Sequence, residues 1–119
     1  MLTRLSAATL VIASLLALSV ISNGSLDRGA NAATFDVSMV STGSDGFSPR
    51  NQTLAPGDTV KWTHLNGGFT PHTTTSDTGL WDSGEMFQPN TFSFTFNEAG
   101  TFNYFCAVHP AMKASISVR

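Results

Sequence analysis

The chain carries one cysteine, and it stands in the run Cys106-Ala107-Val108-His109-Pro110-Ala111-Met112, where a histidine and a methionine follow it at steps of three. A second histidine lies well upstream, in Pro71-His72-Thr73. Together these residues offer two imidazole nitrogens, a thiolate and a thioether. Soft sulfur ligands favour copper, and imidazole suits both of its oxidation states. Two nitrogens and a thiolate in a trigonal plane, with a long, weak axial thioether, make a blue-copper electron-transfer site. Three of the four candidates fall within seven residues, so a short loop that curls back would gather them round one ion, with His72 supplied from a distant connection.

Other residues of the same types have other roles. A lone cysteine in an oxidising compartment is a liability unless it is buried or occupied. A core cysteine is the ordinary alternative, and the spacing of His109 and Met112 decides for a metal thiolate. Met112 rather than Met86 is the expected axial ligand, since no motif supports Met86; Met39 falls in a strand alternation and reads as core. His64 shares a strand face with Val60 and Trp62 and reads as an edge or supporting position beside the site. A Cys-His nucleophile would need an orienting third group, and a catalytic copper an open position; neither has support in the sequence. Three histidines are too few for multicopper oxidase chemistry. Zinc would fit Cys-His-His but leave the methionine idle. Asn51-Gln52-Thr53 matches a glycosylation sequon by chance.

The elements that would position these residues are strands. Side chains alternate between faces along a strand, and five runs alternate so. Thr34 to Val40 puts Phe35, Val37 and Met39 together, and Thr59 to His64 aligns Val60, Trp62 and His64. Thr91 to Phe96 collects Phe92, Phe94 and Phe96; Thr101 to Cys106 aligns Phe102, Tyr104 and Cys106; Lys113 to Arg119 pairs Ile116 with Val118. Ala55-Pro56-Gly57-Asp58 is a turn signal, and Glu98-Ala99-Gly100 suits a hairpin. The stretch Gly67 to Glu85 is the longest without a clear strand, although Pro71 to Ser76 could form one; long connections often carry function. No helical period follows the N-terminal segment. The pattern predicts an all-β, Greek-key antiparallel β-sandwich in a single domain.

That domain is expected to span residues 33–119. Ahead of it, Arg4, the uncharged apolar stretch Leu5 to Ile21 and the small residues Ala30-Asn31-Ala32 form the three parts of a secretory signal over residues 1–32. The alternative is an uncleaved anchor, for which the apolar stretch is short and diluted. The 87 residues that remain after cleavage hold four basic and seven acidic side chains, a net charge of −3. No basic stripe supports nucleic-acid binding, and a mildly acidic surface suits transient, electrostatically steered encounters.

Beyond the ligands themselves, Asp58-Thr59-Val60-Lys61-Trp62-Thr63 before His72, Gly100 to Cys106, and Met112 to Val118 resemble the cupredoxins, the small blue copper proteins such as plastocyanin, pseudoazurin and amicyanin. The likeness covers nearly all of residues 33–119. Cys-x2-His-x2-Met with Pro after His is the short amicyanin-like loop, while the framing looks plastocyanin-like. The resemblance implies one copper ion held by His72, Cys106, His109 and Met112 in a mobile one-electron carrier that is not an enzyme. Its alternative is a protein that holds or delivers copper without redox cycling. It further implies a monomer with no stable membrane association, which docks redox partners transiently where the His109 edge emerges in an apolar patch. Phe47, Phe69, Pro71, Ala107, Pro110 and Ala111 are candidates for that patch. The expected location is an exported one, with the periplasm ahead of a thylakoid lumen, the exterior or an N-terminally anchored state. Thr73 departs from the Asn found after the histidine in several relatives, so tuning of the cysteine sulfur would depend on its backbone amide or hydroxyl.

Overall fold

A computed structural model describes residues 31–41, 45–65 and 68–119. The expected signal segment lies, apart from Asn31 and Ala32, outside the described residues. Among the described residues no helix is long and apolar enough to cross a membrane. The described residues form eight strands: β1 (Thr34–Val40), β2 (Gly46–Ser48), β3 (Asn51–Leu54), β4 (Asp58–His64), β5 (Thr75–Ser76), β6 (Thr91–Phe96), β7 (Gly100–Phe105) and β8 (Lys113–Val118). They form two four-stranded sheets, in the orders β2-β1-β4-β6 and β3-β8-β7-β5.

The all-β sandwich is therefore as expected, but its sheets are mixed. β1 runs parallel to β4, from Thr34 opposite Thr59 to Met39 opposite His64, and β3 runs parallel to β8. The reason lies in the connection. After β1 and its hairpin partner β2, the chain crosses to the other sheet as β3 before returning as β4. That crossover brings it back to the end where β1 began, and a parallel neighbour needs such a crossover. The Glu98–Gly100 turn is a second correction: β6 pairs with β4 and β7 with β8 and β5, so this link is not a hairpin. The two strands face each other through their side chains instead, with the rings of Phe96 and Phe102 5.4 Å apart. Of Pro71 to Ser76, Thr75 and Ser76 become strand β5, while His72 makes an isolated bridge to Met86.

The alternation in the sequence is realised as burial. Val37, Met39, Val60, Trp62, His64, Phe96, Tyr104, Ile116 and Val118 are buried, and Phe35, Phe92, Phe94 and Phe102 pack partly buried against them. Trp62 is the hub. Its indole stacks at 5.6 Å on Trp81 and meets Tyr104, from the opposite sheet, edge-on at 5.5 Å. Aromatic pairs at these distances add to the stabilisation that burial alone supplies.

The predicted turn before β4 is closed by a buried acid. Asp58 accepts hydrogen bonds from the amides of Ala33 and Ala55, both at 2.9 Å. Gly57 adopts the left-handed φ of 97° that the tight return requires. One carboxylate thus fixes both the turn and the entry into β1. Asp58→Ala would leave two amides without that acceptor, at about 1–3 kcal/mol for each one that water cannot reach. We expect a lower urea midpoint with an unchanged m-value, and partial recovery in Asp58→Asn.

Candidate metal centre

β7 delivers Cys106 just beyond its last residue, at one end of the sandwich. The chain then makes a tight loop before β8. Within it the amide of His109 donates to the carbonyl of Cys106 at 3.2 Å, and the amide of Met112 donates to that of His109 at 2.8 Å. The amide of Cys106 closes the loop on the carbonyl of Met112 at 3.0 Å. Met112 is buried there, and the loop's curl follows from its own backbone. His72 arrives from the β4–β5 connection, fastened by two backbone hydrogen bonds with Met86, at 3.1 and 2.8 Å. Met86 thus holds the backbone of a candidate ligand, a role that sequence spacing did not suggest.

The outcome is convergence. Nδ1 of His72 and Nδ1 of His109 each lie 3.7 Å from Sγ of Cys106, and single ligand atoms from the three residues all fall within 4.8 Å of one another. Bonds of the lengths zinc makes, about 2.0–2.1 Å to nitrogen and about 2.3 Å to sulfur, spread at about 120°, would separate sulfur and nitrogen by about 3.7 Å. The sulfur–nitrogen spacings already match that plane. Nitrogens in it would be about 3.6 Å apart, against 4.8 Å or less here. His72 and Cys106 are fully buried, and the side chain of His109 is 27% exposed.

A backbone donor meets the sulfur, and a chain of hydrogen bonds runs on from the same residue. The amide of Thr73 donates to Sγ of Cys106 at 3.3 Å, so the expected sulfur contact is made by its backbone. The Thr73 hydroxyl accepts the amide of Ala107 at 2.8 Å and contacts the Thr75 hydroxyl at 2.8 Å, which in turn donates to Asp82 at 3.2 Å. One residue beside His72 therefore ties the loop that carries Cys106 and His109 to the long β4–β6 connection. His64 is buried next to the site, as expected of a supporting position. Its Nε2 lies 2.9 Å from the carbonyl of Thr70, and its ring centroid is 4.8 Å from that of His72.

The outer ring nitrogens have partners that sequence reasoning missed. Nε2 of His72 lies 2.7 Å from the Ser41 hydroxyl, and Nε2 of His109 lies 3.5 Å from the Asp45 carboxylate. Both residues belong to the β1–β2 connection, and no motif marks them. Phe47 departs from its expected place in a surface patch. It is buried, edge-on to Tyr104 at 4.6 Å, because β2 turns its one large side chain into the core.

Residues 33–119 match the family described as copper binding proteins, plastocyanin/azurin family. The chain belongs to it. It is 37% identical over 71 residues to an amicyanin of Paracoccus versutus, a match covering 56% of this chain and 52% of that protein. It is 33% identical over 86 residues to a plastocyanin of Scenedesmus fuscus, covering 61% of this chain and 86% of that one. The chain thus spans about half the length of the amicyanins it matches and most of the plastocyanin. Among solved structures it is similar to a purple cupredoxin from Nitrosopumilus maritimus, with a TM-score of 0.62 and 26% identity over 71% of this chain and 99% of that one. Family and donor set together make this cupredoxin's site one for a single copper ion.

The surroundings also favour the uncharged ligand. Burial holds the His72 imidazole below the usual histidine range, repulsion from His64 and His109 adds to this, and Asp45 pulls the other way. An unfolded histidine titrates near pH 6.5. Below that the unfolded metal-free chain takes up the proton before the folded one does. The stability present above about pH 6.5 is therefore lost as pH falls toward the lowered value of His72. We expect the urea midpoint of metal-free protein to fall between about pH 7 and 5, and less steeply in His72→Phe; equal slopes would contradict this. Thr73→Val should cost about 1–3 kcal/mol by stranding the Ala107 amide. Thr73→Ser should restore most of it, as read by thermal unfolding.

Proposed function

We propose that this cupredoxin is a mobile one-electron carrier, in which His72, Cys106, His109 and Met112 would hold a copper ion. When bound, copper supplies a one-electron couple between its monovalent and divalent states. The observation that carries the reading is the pair of equal 3.7 Å spacings from the cysteine sulfur to the two Nδ1 atoms, formed by the protein's own folding. A site that keeps its shape suits a change of charge with little movement.

The residues divide the work. Cys106 offers the thiolate, shielded from oxidants by complete burial and held by the Thr73 amide. His72, equally buried, anchors the inner side. His109 is the ligand that reaches the surface, so its ring is the path by which an electron would enter or leave. Around it Ala107, Val108, Pro110 and Ala111 are exposed, and Phe69 stands 96% exposed on the β4–β5 connection. We take these, without Phe47, as the docking patch for redox proteins. Small apolar surfaces suit weak, fast-exchanging partners. The same reading makes the protein a monomer and not an enzyme, exported to a periplasm after loss of residues 1–32.

Reconstitution with Cu(II) should give an intense visible absorption from the cysteine sulfur–copper bond and a reversible one-electron wave. Cys106→Ser should fold but stay colourless, and Met112→Leu should keep the colour with a shifted potential. A colourless wild-type Cu(II) protein would exclude the carrier, and colour without reversible redox would favour copper delivery instead.

A further inference from the structure

Both Nδ1 atoms face Cys106, so the ring proton of each neutral histidine must sit on the outer nitrogen, Nε2, if Nδ1 is to bind a metal. At His72 the Ser41 hydroxyl stands ready to accept it at 2.7 Å. At His109 the group facing Nε2 is Asp45, with Oδ2 at 3.5 Å, while Oδ1 of the same carboxylate lies 4.0 Å from Nε2 of His72. One carboxylate thus straddles the outer edges of both imidazoles. We propose that Asp45 is a positioning residue of the copper site, fixing the ring orientation and tautomer of His109 and biasing the metal toward its divalent state. The inference rests on the proposed ligation through Nδ1.

The physics has two parts. At 3.5 Å the contact is longer than a good hydrogen bond, so Asp45 acts chiefly through its charge, which stabilises an N–H at Nε2 and leaves the Nδ1 lone pair turned inward. Carboxylates placed behind metal-binding histidines orient them in this way. The same negative charge lies one ring away from the ion. It favours the doubly charged over the singly charged state and so lowers the reduction potential. Solvent weakens the effect, since the Asp45 side chain is 32% exposed. Arg50 and Lys113, which line the same cleft, oppose it. The sign remains, because Asp45 is the group in contact with the ligand rings.

The test compares wild type with Asp45→Asn, Asp45→Glu and Glu98→Gln, the last removing an equal charge beyond the opposite end of β7 from Cys106. In metal-free protein at about pH 9, above the ordinary imidazole range, nitrogen NMR reads the His109 tautomer. Wild type and Asp45→Glu should favour Nε2–H, and Asp45→Asn should lose that preference. In copper-loaded protein, voltammetry should place Asp45→Asn at a more positive potential than wild type, with Glu98→Gln close to wild type. An unchanged tautomer in Asp45→Asn, or equal potential shifts in Asp45→Asn and Glu98→Gln, would overturn the proposal. Should wild type bind no blue copper, the carrier reading fails, and the tautomer of the metal-free protein alone decides the role of Asp45.

Discussion

One potential ligand atom from each of His72, Cys106 and His109 is brought within 4.8 Å of the others by the polypeptide alone, and most other features of this end of the molecule serve that convergence. Crowding a thiol and two imidazoles in a buried space carries an electrostatic cost if any of them gains charge without a partner. The fold meets it by disfavouring the charged imidazole: burial and the neighbouring rings keep His72 in the neutral form that a metal requires. The sulfur is met by a backbone amide, which stabilises it whether it is a thiol acceptor or a thiolate. His72 thus rests in the neutral state it would have when bound to a metal.

Holding that arrangement falls to both sheets and to two loops of different character. The Cys106–Met112 loop is short and closes on itself through three backbone hydrogen bonds, so its shape depends little on its surroundings. The β4–β5 connection is held differently. It is fixed from outside, by the Met86 backbone, by Thr73 reaching across to Ala107, and by the Trp81 indole donating to the Thr74 hydroxyl at 2.9 Å. Trp81 also stacks on Trp62 in the centre of the core. Packing is therefore transmitted to the neighbour of a ligand through one tryptophan, apolar on its face and hydrogen-bonded at its edge. This is how a loop between two sheets acquires the rigidity that a ligand needs.

What was legible in the sequence follows the same division. The strands that alternate cleanly, such as Thr34–Val40 and Thr91–Phe96, appear with the bounds read from the alternation, because period-two patterning is written residue by residue. The cysteine loop was legible because its spacing is local. Strands β2 and β3 were not, since three or four residues hold too few alternations to register. The Glu98–Gly100 link was misjudged because turn chemistry states that the chain reverses, not whether the partners meet edge to edge or face to face. Ser41 and Asp45 were invisible for a related reason. A residue that touches a ligand ring across the fold has no spacing relation to it.

The choice between a carrier and a copper-delivering protein turns on access. Handing over an ion requires a partner's ligand to approach while one of the protein's own lets go. Here His72, Cys106 and Met112 are all buried, and the cysteine's loop is bonded to itself at the residue that would have to move. His109 is the one of the four with substantial exposure, and its outer edge is faced by a carboxylate. An incoming protein therefore meets a ring edge, not the ion's position. On the proposed ligation an electron could cross such an edge without displacing a ligand, whereas the ion could leave only by losing its buried ones. On the proposed ligation, burial of three ligands and exposure of one ring edge would let charge pass and keep the ion in place.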